Sequence, residues 1–132
     1  MTAASMVVPD PDDAFLFAGA ARGELLIRRC ATCHRLRHPP TPMCPACHST
    51  QVDTVRATGR GTVASWILSH HPSQLDDAPR IVALIDLEEG TRFVSNLIDV
   101  EPNAVSIGLA VEVRFVDVGG TVLPQFVPVA RP

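Results

Sequence analysis

Cys30-Ala31-Thr32-Cys33 and, after ten further residues, Cys44-Pro45-Ala46-Cys47 use every cysteine of the chain. Each C-x-x-C pair can bend into a tight knuckle, and two knuckles at this separation aim four thiolates at one point, the tetrahedral arrangement that Zn²⁺ accepts. Such a centre dictates its surroundings: a strand leading in, a strand returning, and a loop between the knuckles. Iron accepts the same four-sulfur cage, so spacing alone leaves an electron carrier open beside structural zinc. Histidines follow both knuckles, His34 and His48. Four thiolates already complete a tetrahedral site, however, and these imidazoles are expected to point elsewhere.

With 132 residues, 46% of them hydrophobic, the chain fits one ordinary domain or two very small ones, with a real but small core. No run approaches the roughly 18 apolar residues of a membrane helix, and Met1 to Pro9 lacks the basic start and apolar centre of a secretory signal. The expected location is the cytoplasm, where paired cysteines hold metal rather than form disulfides. A net charge of −3 gives no overall attraction to nucleic acid.

Along the chain, residues 1–23 read as a tail and a short helix. Asp10 suits the N-cap, Pro11 the first helical position and Gly23 the end. Phe15, Leu16 and Phe17 make this helix too apolar to lie alone in water, so it packs on its own domain or on a partner. Residues 24–58 read as a zinc ribbon: Glu24 to Arg29 leads into the first knuckle and Thr50 to Ala57 returns from the second. The loop between them is stiffened by Pro39, Pro40 and Pro42. Its charges, with Arg28, Arg29, Arg35 and Arg37 falling within ten residues, are expected to stay in water.

From residue 59 to 132 the pattern changes to strands and turns. Arg60 to His71, Arg80 to Leu87, Thr91 to Ile98, Ala110 to Val116 and Thr121 to Val129 are β-rich and bounded by Gly, Pro or Asp. Glu88-Glu89-Gly90 and Val118-Gly119-Gly120 supply hairpin turns, and Asp99 to Leu109 is a longer connection. Five strands with that spacing fit a small closed Greek-key barrel of the OB type. The expected class is therefore mainly β: a short N-terminal helix, a zinc ribbon and a C-terminal five-stranded OB-fold barrel.

The same residues carry a family resemblance from Asp10 to Pro128. In order stand the acidic-capped aromatic helix, Gly23-Glu24-Leu25-Leu26, Arg29-Cys30-x-x-Cys33, Pro39-Pro40, Cys44-Pro45-x-Cys47, Gly59-Arg60-Gly61-Thr62-Val63, Ser65-Trp66, His70-His71-Pro72, Val82 to Leu87, Ser95-Asn96-Leu97, Ile107-Gly108 and Val113-Arg114-Phe115. The chain resembles the acyl-CoA-associated zinc-ribbon OB-fold family long filed as domain of unknown function 35. The resemblance implies a rubredoxin-like ribbon holding one structural Zn²⁺, and an accessory role on a thiolase-like dimer. That dimer would carry out acyl transfer, acyl-CoA condensation or the retro-aldol step of steroid side-chain degradation, with the catalytic residues its own. Two copies of each chain would make a heterotetramer. One departure stands out: the family often places Gly after each knuckle, where this chain has His34 and His48, and His accepts left-handed backbone less readily.

Taken by themselves, the residues agree with a non-catalytic role. There is no G-x-S-x-G elbow or phosphate loop, and the cysteines are committed to metal. His70 and His71 are the candidate acid–base pair, but neighbours on a strand face opposite ways. Trp66 is expected in the core, with stacking on an adenine ring as the alternative. The expected site residues are Cys30, Cys33, Cys44 and Cys47 for the metal, Phe15 and Phe17 for a partner, and Arg60, Trp66, His70 and His71 along a passage for the coenzyme A arm of an acyl-CoA bound by the complex. Nucleic-acid binding and an independent acyl-CoA enzyme remain as other classes. An acidic chain with no Tyr and one Trp lacks the cations and stacking aromatics that the first requires.

Overall fold

A computed structural model describes residues 10–70 and 79–129; the expected N-terminal tail and His71 lie outside the described residues. Helix α1 spans Ala14–Ala21, starting three residues after Pro11, the expected first helical position. The capping chemistry expected of Asp10 is nevertheless present one turn earlier. Its carboxylate accepts the backbone N–H groups of Asp12 at 2.9 Å and Asp13 at 3.1 Å. Asp13 in turn accepts the N–H of Asp10 at 2.8 Å. At the other end Gly23, at φ +75°, allows its own N–H to reach Ala20 O and that of Glu24 to reach Gly19 O. This pair of bonds closes the helix in a left-handed cap.

The ribbon is a three-stranded sheet in the order β2-β1-β3, with β1 Leu25–Cys30, β2 Leu36–Arg37 and β3 Val52–Ala57. Strand β2 lies where a loop was expected. Its pairing of Arg37 with Arg28 turns Arg37 inward, and only 7% of that residue remains exposed. The guanidinium donates to Thr41 O from Nε at 3.0 Å and from Nη2 at 2.6 Å. The expectation that the charges of this region stay in water is thus corrected. Arg29 forms a two-pronged pair with Asp53 at 2.8 Å, Arg28 lies over the Phe15 ring at 3.9 Å, and Arg35 remains exposed.

The barrel contains β4 Arg60–Ser69, β5 Arg80–Leu87, β6 Arg92–Leu97, β7 Ala110–Val118 and β8 Thr121–Pro128, closed in the order β4-β5-β6-β8-β7. One turn of 3-10 helix, Pro102–Ala104, sits in the long connection. Strand β5 alternates regularly: Ile81, Ala83, Ile85 and Leu87 are buried and the residues between them are not. Strand β4 breaks it. A bulge between Val63 and Ser65 shifts the phase, so Trp66 stands opposite inward-facing Ala83, and Ile67 opposite Val82 on the outside. Trp66 therefore packs against the core, which is built around Phe93, Phe126, Ile85, Val63 and Val111 together with Leu25 and Ile27 of the ribbon.

Two close approaches tie ribbon to barrel. Gly59, at φ +87°, accepts the N–H of Val113, and a Cβ there would lie 2.3 Å from Val113 Cγ1. The β5–β6 turn reaches across: Thr58 donates its N–H to Glu89 Oε2 at 2.9 Å and its hydroxyl to Glu88 Oε1 at 2.7 Å.

Candidate metal centre and neighbouring surfaces

The end of β1 delivers Cys30, the following turn delivers Cys33, and a second turn of the same form carries Cys44 and Cys47. The two knuckles are alike in detail. His34 N–H bonds to Cys30 O at 2.8 Å and His48 N–H to Cys44 O at 2.9 Å, while Cys30 N–H goes to Arg35 O and Cys44 N–H to Ser49 O. Thr32 and Ser49 join the knuckles through their hydroxyls at 2.8 Å. Both histidines adopt the left-handed conformation that glycine would take, with φ +67° at His34 and +63° at His48. The histidine departure thus leaves the knuckle geometry intact, His being among the residues that enter this region more easily than most.

All four sulfurs lie within 4.8 Å of one another, with Cys30–Cys47 at 3.5 Å and Cys33–Cys44 at 3.6 Å. A tetrahedron with Zn–S bonds of about 2.3 Å has edges of about 3.8 Å, so the four sulfurs are already gathered close to the spacing that zinc requires. Cys30 and Cys44 are buried and Cys33 and Cys47 face solvent. The Cys33 N–H, 3.4 Å from Cys30 Sγ, is the main reason that the Cys30 thiol is lowered to about 6. The Cys47 N–H lowers Cys44 in the same way. For Cys47 itself the Ser49 N–H favours the thiolate, but burial and the three neighbouring sulfurs outweigh it and push the thiol up to about 11. Four thiolates this close need a cation, and a divalent metal supplies that charge. The site holds one structural zinc, with every tetrahedral position taken by protein.

The remaining expected residues fall into separate places. Phe15 is half-buried beneath Arg28, whose Nη2 also donates to Asp12 O at 3.3 Å. Phe17 lines a slot of about 270 Å³ between α1, the loop after β2 and the barrel. Arg60 and His70 stand at opposite ends of β4, so the structure does not gather Arg60 with Trp66 and His70. Strand β4 stops at Ser69, and His70 is exposed beyond it. The residue that sequence reading missed is His38. Its ring stacks on Phe93 with centroids 4.1 Å apart, and burial drives its pKa down to about 4. Only its place beside Pro39, within a loop already read as stiff, hinted at a fixed position.

Comparison with known proteins places these elements. Residues 17–53 match the family model described as "ChsH2, rubredoxin-like zinc ribbon domain", and residues 54–116 match "ChsH2, C-terminal OB-fold domain". A "Probable enoyl-CoA hydratase alpha subunit" of Thermomonospora curvata is 44% identical over 119 residues, covering 89% of this chain and 37% of that protein. The "3-oxo-4,17-pregnadiene-20-carboxyl-CoA hydratase alpha subunit" of Mycobacterium tuberculosis is 37% identical over 107 residues, covering 80% and 34%. The chain thus spans about a third of the length of these two curated relatives. Among solved structures, a chain of an "Ltp2-ChsH2(DUF35) aldolase" superposes with a TM-score of 0.84 at 42% identity, covering 93% of this chain and 98% of that one.

Proposed function

Because the chain belongs to the ChsH2 (DUF35) family of zinc-ribbon and OB-fold proteins, we propose that it is a non-catalytic accessory subunit that docks on a thiolase-fold enzyme acting on acyl-CoA substrates. The observation that carries this reading is the 42% identical chain of the two-component aldolase, which is nearly coextensive with this one. The chemistry of the site supports it. A closed four-sulfur zinc has no position for substrate or water, so it staples a small domain rather than activating a nucleophile. The chain's own residues then supply shape: cysteines that fix the ribbon, a helix seated between ribbon and barrel, and a closed five-stranded barrel.

The partner reaction is acyl transfer, condensation or retro-aldol cleavage, and its catalytic groups sit in the thiolase-fold subunit. A two-fold dimer of that enzyme carries two copies of this chain, one on each equivalent surface. The coenzyme A arm passes the distal end of β4, where Trp66 and His70 stand; Arg60 contributes from the other end of the strand. Co-expression with a neighbouring thiolase-like gene, followed by size exclusion, tests the assignment: co-elution is expected, and consistent separation of the two proteins sinks it. Within a complex so obtained, joint replacement of Trp66 and Arg60 is expected to weaken acyl-CoA binding, and unchanged affinity removes both from the passage.

A further inference from the structure

The slot between helix and barrel lies where the barrel is least continuously bonded, since β6 and β8 share one paired position, Leu97 with Phe126. Phe17 enters from α1, the His38 imidazole from the ribbon, and Phe93, Val94 and Leu123 from the barrel. On its exposed side the surface continues across the outer face of the sheet. The register aligns Ser65, Leu84 and Val94 in one row and Ile67, Val82 and Asn96 in the next. Val94 is 51% and Ile67 64% exposed. The row on the other side of Ser65–Leu84–Val94 is charged: Thr62, Asp86 and Arg92 align there, and Arg92 Nε donates to Asp86 Oδ1 at 2.8 Å. An apolar patch with a cavity on one side and an ion pair on the other has the layout of an interface core and its polar rim.

Size and charge narrow the occupant. About 270 Å³ exceeds the roughly 150 Å³ that holds a benzene ring, and falls short of the ~300–1,000 Å³ of sites that engulf a whole small-molecule ligand. Among the described residues no charged side chain lines the slot, whose polar groups are those of Ser95, Asn96, Gln125 and a His38 kept neutral by burial, so no cation there pairs with a phosphate or carboxylate. The solved relative of the same extent works as one component of a two-component enzyme, which supplies a protein surface to cover the patch. We propose that this slot receives an apolar anchor side chain, aromatic or branched aliphatic, from the partner subunit, with the Ile67–Val82–Leu84–Val94 face packing around it. The inference rests on the accessory-subunit reading and assigns it a docking face.

The experiment uses this chain and the thiolase-fold subunit, both purified, with binding measured by calorimetry. Val94→Asp places a charge at the slot without removing core packing. It is expected to weaken binding by about thirtyfold or more, the effect of losing one interface hot spot. Val94→Ile, and Ile107→Asp at another surface residue that is 75% exposed, are expected to bind as the parent does. Zinc content and circular dichroism of all three should match the parent. Parent-like binding by Val94→Asp overturns the inference while leaving the function intact, and so does equal weakening by Ile107→Asp. Self-association of the unaltered chain in sedimentation equilibrium, abolished by Val94→Asp, would assign the slot to a second copy and overturn it too. Failure of the unaltered chain to bind the thiolase-fold subunit removes the function and the inference together.

Discussion

His38 lies nearly flat on Phe93, with ring centroids 4.1 Å apart and planes 27° from parallel. One ring comes from the zinc ribbon and the other from the barrel core, so this contact reports on how the two are seated together. Burial lowers the His38 pKa from 6.5 to about 4. Between those values the unfolded chain takes up a proton that the folded chain refuses, so stability is lost as pH falls from about 6.5 towards 4. Acid also weakens zinc binding, which requires comparison with a variant. Denaturant midpoints at pH 7.0 and 5.5 should draw closer together in His38→Leu than in the parent, and identical differences would place His38 in water.

The zinc site predicts coupled losses. Cys30→Ser removes a buried ligand that also accepts the Cys33 N–H, and structural zinc sites contribute on the order of 10 kcal/mol to folding. Metal analysis should find one zinc per chain in the parent and close to none in the variant, with partner binding lost in parallel. A strong chelator should give the same outcome. A variant that kept zinc and complex formation yet lost activity would instead give the site a chemical role.

The two left-handed histidines predict a gain from glycine. A non-glycine residue in this conformation costs roughly 1–2 kcal/mol, and the greater freedom of glycine in the unfolded chain returns part of that. His34→Gly and His48→Gly should each raise stability by about 0.5–1 kcal/mol with zinc retained, whereas His34→Val should lower it, since a β-branched residue tolerates positive φ poorly. Thermal unfolding of the zinc-loaded proteins measures all three.

Gly61 predicts a loss. A Cβ there would sit 2.5 Å from the backbone oxygen of Asp86 and 2.8 Å from Ile85 Cγ2, and neither can move without shifting β5. Gly61→Ala should cost about 1–3 kcal/mol, the range for forcing extra volume into a packed site. By contrast Gly120→Ala meets open space and is strained only through its φ of +92°. Denaturant unfolding should show the larger loss at Gly61.

The cysteine spacing, the β-rich segments and their Gly, Pro or Asp boundaries made the ribbon and barrel legible before any coordinates. These signals are local, because a knuckle or a hairpin is set by residues that stand next to one another. The bulge in β4 was not legible: nothing in Thr62-Val63-Ala64-Ser65 distinguishes an extra residue from a regular strand, and the phase of Trp66 and Ile67 depends on it. Strand β2 was hidden for another reason. Two residues carry no periodicity, and the burial of Arg37 follows from pairing with a distant strand. His38 needed knowledge of Phe93, fifty-five positions away in the chain. Each of the four zinc ligands was legible, while the docking slot, assembled from five separate segments of the chain, was not.

Helix α1 packs against both β1 and β8, the earliest and the latest of the described strands. A chain emerging from the ribosome can close its zinc knuckles once Cys47 has been made, yet the helix lacks half its seat until β8 has been translated. Leu16 and Phe17 therefore await cover until the last of the described strands is made, and those side chains are what a chaperone would meet on the nascent protein.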